Sequence, residues 1–147
     1  MTRAVRITLS VQPRYASAVR RVDYVIRFVR DLDRSVSFYR DVLGMKPRVI
    51  GDGYVEFDTD NVKFGLYERK KLPELMGSAP EAAGPDGEVV FVVEDVDAWV
   101  ERLDTNGIEV LSGPTDRPWG HRTVHLTDPD GLIVELAQEI PRRNGSD

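Results

Sequence analysis

Glu88, His125 and Glu135 are residues of the types that hold a divalent cation or move a proton, and strand alternation places them on one face. In Glu88 to Val93, the residues Val89, Phe91 and Val93 form an apolar row, so Glu88, Val90 and Val92 point the other way. In Leu132 to Gln138, the row Leu132, Val134 and Leu136 leaves Ile133, Glu135 and Ala137 on the opposite face. In His121 to Thr127, Val124 and Leu126 are the apolar row, and His125 shares its face with Thr123 and Thr127. One imidazole nitrogen and two carboxylates are a ligand set for a metal. The same group, with Glu135 and His125 as the catalytic candidates, suits general acid–base work, because a carboxylate in a partly apolar cleft has its pKa raised. Its negative charge also suits a cationic ligand. Tyr24, Phe28, Tyr67 and Trp119 are candidates for the apolar surface of a ligand site, and Arg122 for a polar contact.

These residues lie in a unit that the chain uses twice. Val29-Arg30-Asp31-Leu32-Asp33 is followed by Phe38-Tyr39 and Leu43-Gly44; Val93-Glu94-Asp95-Val96-Asp97 is followed by Trp99, Leu103 and Asn106-Gly107. Asp31 and Asp95 are 64 residues apart. A period that holds over a strand, a helix and its stop marks one supersecondary unit in two copies, which shelter each other's apolar faces and leave a cleft. Module 1 spans residues 22–68: a strand Val22 to Val29, a helix capped by Asp31 or Asp33 and stopped at Gly44, and strands Lys46 to Ile50, Tyr54 to Asp58 and Val62 to Glu68. Residues 69–87, with their prolines and glycines, read as a linker in which Leu72 to Met76 can form a turn of helix. Module 2 spans 88–140: Glu88 to Val93 as strand, Val96 to Thr105 as helix, Ile108 to Leu111 as strand, Ser112 to Pro118 as a loop, then the last two strands around the turn Asp128-Pro129-Asp130-Gly131. Residues 1–21 are a basic arm in which Val5 to Val11 can add a strand, and 141–147 are a polar tail.

At 147 residues the chain can bury a core without cross-links, and it has no cysteine for a disulfide, a thiolate metal site or a nucleophile. Cytoplasmic location is the expectation. The net charge of −5 argues against nucleic acid, and no apolar run reaches the ~20 residues of a membrane span.

The phrases Asp31-Leu32-Asp33-Arg34-Ser35, Phe38 to Met45, and Leu126-Thr127-Asp128-Pro129-Asp130-Gly131 with Glu135 together resemble the vicinal oxygen chelate superfamily, also called the glyoxalase/bleomycin-resistance/dioxygenase family. The resemblance implies an α+β fold in which two βαβββ modules form an eight-stranded open cup, and a homodimer. Metal-dependent members carry a histidine on the first strand of each module and a carboxylate on the last. Here those positions fall on Tyr24, Glu88, Gly65 and Glu135. With both histidines replaced, the resemblance favours a metal-independent protein that binds a small, cationic or aromatic molecule, similar to the antibiotic-resistance binding proteins and without a cofactor. The alternative is a lyase, isomerase or dioxygenase using manganese, nickel, zinc or iron on Glu88, His125 and Glu135. The third reading is a non-catalytic interaction module. The run Trp119-Gly120-x-Arg122 resembles that of antibiotic-binding members.

Overall fold

The computed structural model describes residues 21–77 and 87–142. The arm strand expected in Val5 to Val11, the middle of the linker and the end of the tail lie outside the described residues. The element order is β1 (Tyr24–Val29), α1 (Leu32–Ser37), β2 (Pro47–Gly51), β3 (Tyr54–Phe57), β4 (Lys63–Glu68), α2 (Leu72–Met76), β5 (Glu88–Val92), α3 (Val96–Thr105), β6 (Ser112–Arg117), β7 (His121–Thr127) and β8 (Ile133–Glu139). They form two four-stranded mixed sheets of order β1-β4-β3-β2 and β5-β8-β7-β6, one from each βαβββ unit. In both, the first and last strands pair in parallel and the rest pair antiparallel.

The repeated aspartates explain why each helix starts where it does. Asp31 accepts the backbone N–H of Arg34 at 3.1 Å, and Asp95 that of Ala98 at 3.1 Å. Both satisfy a donor that the first helical turn leaves free. After Ser37 the first helix widens into a π-helical turn, Phe38–Val42, closed by Leu43 N–H donating to the Phe38 carbonyl. Such a turn shifts side-chain phase by one residue. Consecutive aromatics thereby both enter the core: Phe38 and Tyr39 are buried, with their rings edge-on at 5.1 Å.

One strand differs from the sequence expectation. The second strand of module 2 is Ser112–Arg117, where a loop was expected, and Ile108 to Leu111, expected as that strand, precede it as irregular chain. The register slips between Ser112 and Thr115 opposite β7. Gly113 takes a left-handed φ of +95°, and a Cβ there would collide with the Thr123 carbonyl. A glycine and a proline break a central strand but fit a bulge on an edge strand, which is where β6 lies.

The helix-side rows of both sheets meet in one core. Val29, Phe57, Phe64 and Leu66 of the first module cluster with Val96, Leu103, Val124, Leu126 and Val134 of the second. Phe64 and Phe91 touch across the boundary at 5.7 Å. The turn between β7 and β8 also docks onto module 1. The Asp128 carboxylate takes the backbone N–H groups of Asp130 and Leu132 on one oxygen and the Tyr39 hydroxyl at 2.7 Å on the other. Asp130 accepts from Arg30 and from Ser35. Arg27, on the core side of β1, donates to the Ile133 carbonyl at 2.7 Å. Burial, then the charge of Asp128, raise the Tyr39 phenol far above its ordinary value, so it remains a donor.

Candidate functional site

Since the helix-side rows of the two sheets face each other, their other rows face outward. Each outer face carries one group of polar side chains.

On the second sheet, the register sets Val90 against Glu135 and His125 against Glu135, with Glu88 one step away opposite Ile133. The expected trio is assembled. His125 Nε2 lies 3.0 Å from Glu135 Oε1 and 3.2 Å from Glu88 Oε1. One ligand atom from each residue falls within 4.8 Å of the others. The Glu135 side chain is 12 % exposed and that of Glu88 39 %, so the group is sunk on one side and open on the other. Burial, then the charge of Glu88, hold the Glu135 carboxyl above the ordinary carboxylate range; His125 opposes this. Two carboxylates crowded this closely call for a positive charge between them, supplied by a proton or a cation. One nitrogen and two oxygens fit manganese, iron(II) or zinc, and three protein donors leave coordination positions open.

On the first sheet, Tyr24, Ile26 and Phe28 of β1 are exposed, and Tyr67 meets Phe28 edge-on at 6.4 Å. Next to them, across β4 on β3, lies a group that sequence reasoning missed. Glu56 is 5 % exposed, and its two oxygens accept from the Tyr54 hydroxyl and from Arg48 Nη2, each at 2.9 Å. Gly65 explains how Tyr54 gets there. A Cβ at Gly65 would sit 2.6 Å from the Tyr54 hydroxyl, so the missing side chain is the space the phenol occupies. The outer row of the first module's last strand, Lys63, Gly65 and Tyr67, therefore lacks a carboxylate, but the neighbouring strand holds one. The alternation of Tyr54-Val55-Glu56-Phe57 opposite a glycine was the signal that could have found it.

Two expected ligand contacts lie elsewhere. Arg122 has the parity of Val124 and Leu126, so it points to the helix side, where it donates to Asp97 of α3 at 2.9 Å and to Asp116 at 2.8 Å. Trp119 is half-exposed, with the Arg117 guanidinium 5.9 Å from its ring centroid. It sits beyond His121, at the other end of β7 from the trio, and His121 is itself about 13 Å from His125 at strand rise. An open cleft of about 790 Å³ lies beside Trp99, Arg102 and Gln138, at the far end of β5 from Glu88. Among the described residues no hydrogen bond, ion pair or ring contact joins one outer face to the other, so Tyr24, Phe28 and Tyr67 are not brought to Glu88, His125 and Glu135 within the chain.

Comparison with known proteins agrees with this architecture. The model of the Glyoxalase/Bleomycin resistance protein/Dioxygenase superfamily matches residues 21–136. The uncharacterized protein YraH of Bacillus subtilis (strain 168) is 30 % identical over 115 residues, covering 74 % of this chain and 90 % of YraH. The metallothiol transferase FosB of Staphylococcus saprophyticus is 28 % identical over 122 residues, covering 80 % of this chain and 76 % of FosB. A crystal structure of a glyoxalase/bleomycin resistance protein/dioxygenase from Nocardioides superposes with a TM-score of 0.73 at 25 % identity, covering 88 % of this chain and 91 % of that one. With two βαβββ sheets of this topology and a family match over most of its length, the chain belongs to the glyoxalase/bleomycin resistance/dioxygenase superfamily.

Proposed function

We propose that this chain acts on a small molecule at a divalent cation held by Glu88, His125 and Glu135, in a cup closed by a second copy of the chain. The convergence of three ligand atoms within 4.8 Å carries the reading. It is supported by the similarity to a metallothiol transferase, a protein whose name joins a metal to a transfer reaction. When bound, such a cation would polarise an oxygen of the ligand as a Lewis acid. The chain's own part is to hold its donors in place. His125 is fixed by its ladder position between Ser112 and Glu135. Val90 and Val92 of β5 supply apolar surface beside the trio.

The second copy enters because the outer faces are incomplete alone. Ile26, Phe28, Val90 and Val92 are 39–63 % exposed, which is much apolar area to leave in water. Formal charges are complementary. Glu88 and Glu135 make one face acidic, and Arg48 with Lys63 outweigh Glu56 on the other. Setting the first-sheet face of one copy against the second-sheet face of another covers both and gathers Tyr24, Phe28 and Tyr67 over the trio. The pairing is isologous, so a dimer contains two such sites.

The test is metal content after purification without chelator, then calorimetric titration with manganese, nickel, zinc and iron(II). Stoichiometric binding that is lost in Glu135→Gln is expected. No binding of any of the four removes this reading. It would leave the metal-independent one, in which the same faces bind a small molecule directly. One observation favours that second reading: His125 already lies within hydrogen-bond distance of both carboxylates, so a proton alone can satisfy the trio.

A further inference from the structure

We infer that the outer face of the first sheet is a binding site for an oxyanion, a carboxylate or a phosphoryl group, built from Arg48, Lys63, Tyr24 and Tyr54. The argument starts from Glu56. A carboxylate this buried needs partners, and it has two: the Tyr54 hydroxyl and Arg48. Those bonds, Tyr54's first, hold its carboxyl below the ordinary range against the effect of burial, so it stays charged. Glu56 thus acts as a positioning residue. It pins one nitrogen of Arg48, whose half-exposed side chain makes no other hydrogen bond among the described residues.

Lys63 supplies the second cation. It pairs with Tyr24 in the β1–β4 ladder, and its Nζ lies 5.3 Å from the Tyr24 ring centroid. Among the described residues it forms no ion pair. Asp58, next along the chain from β3, forms none with it or with Arg48. The face therefore has two cations against one buried carboxylate. Tyr54 does not oppose an anion, because burial and then its bond to Glu56 push its phenol up to about 12, where it stays neutral. Two donors of different reach share a face with the Tyr24 and Tyr54 rings, a combination that suits an oxyanion attached to a small organic body.

This inference deepens the reading above by assigning the anionic end of the ligand, whose other end would reach the cation of the second copy. It does not need that cation. The test uses the full chain after chelator treatment, titrated calorimetrically with inorganic phosphate and with benzoate. Binding of either probe is expected, and the preferred probe tells a phosphoryl from a carboxylate ligand. Lys63→Gln should weaken it about tenfold, the loss of one charge-assisted bond. Lys63 is chosen because, unlike Arg48 and Tyr54, it makes no hydrogen bond to Glu56, and circular dichroism confirms that the variant is folded. Failure of both probes to bind, or equal binding by Lys63→Gln and wild type, overturns the inference. A chain that binds an anion but no metal keeps it and loses only the cation.

Discussion

Replacing Tyr39 by phenylalanine removes one oxygen and tests whether the two modules are one cooperative unit. Tyr39 is fully buried, and its hydroxyl donates at 2.7 Å to Asp128, which is 4 % exposed and belongs to the other module. Among the described residues the Asp128 oxygen that it serves has one cationic neighbour, Arg27, at 4.0 Å, which is too far for a good hydrogen bond. Tyr39→Phe keeps the ring contacts to Phe38, Phe57 and Phe64. The loss is then that of a buried hydrogen bond to a charged group, about 1.5–3 kcal/mol. At about 2–4 °C per kcal/mol for a chain of this size, Tm should fall by ~3–12 °C. Urea unfolding followed by circular dichroism gives the same difference as a lower midpoint at unchanged slope. A double-mutant cycle with Asp128→Asn should show a coupling of at least about 0.5 kcal/mol. A Tyr39→Phe midpoint within about 0.5 kcal/mol of wild type would refute the reasoning, since Arg27 or water would then be meeting the need of Asp128.

Three other outcomes are expected. Glu135 has a raised folded-state pKa, so its contribution to stability is present below the ordinary 4.5 and is lost as pH rises through the raised value. Chelator-treated protein should lose stability over that window, Glu135→Gln should lose less, and a bound cation should restore it; thermal scans from pH 4 upward check all three. Gly65→Ala drives a methyl group into the Tyr54 ring and should cost about 1–3 kcal/mol in urea unfolding, a cost that largely disappears in a Tyr54→Ala background. Arg122→Ala removes pairs to two exposed aspartates on the helix side, so it should barely move the unfolding midpoint and leave metal affinity as it was; lost metal binding would contradict its placement.

Local chemistry was legible in the chain. The first helix start was read as Asp31 or Asp33 and the second as Val96, because helix starts are read from a few neighbouring residues; Asp31 and Asp95 proved to be the caps. Glu88, His125 and Glu135 could be placed together because each strand carried a clean apolar row to count against. The same counting, applied to Arg122, would have put it with Val124 and Leu126; the resemblance of the Trp119-to-Arg122 run to a ligand loop pointed the other way. Gly113 and Pro114 hid β6, since breaker residues look alike in a loop and on a bulged edge. The Tyr54–Glu56–Arg48 group escaped because its meaning depends on Gly65, a residue whose role is the room it leaves. Long-range facts were least legible. That Asp128 would reach Tyr39, and that the sheets would join by their helix sides, depends on packing between segments about ninety residues apart.

The outward turn of the two sheets has a genetic consequence. In the paired arrangement proposed for this chain, every site draws one half from each copy. A lesion at Lys63 and a lesion at Glu135 would then fall in different halves. Two impaired variants, mixed and allowed to reassort, would form hybrids with one site doubly damaged and the other wholly intact. About a quarter of the wild-type number of intact sites would reappear from two parents that have none. A chain that completed its sites alone would show no such complementation.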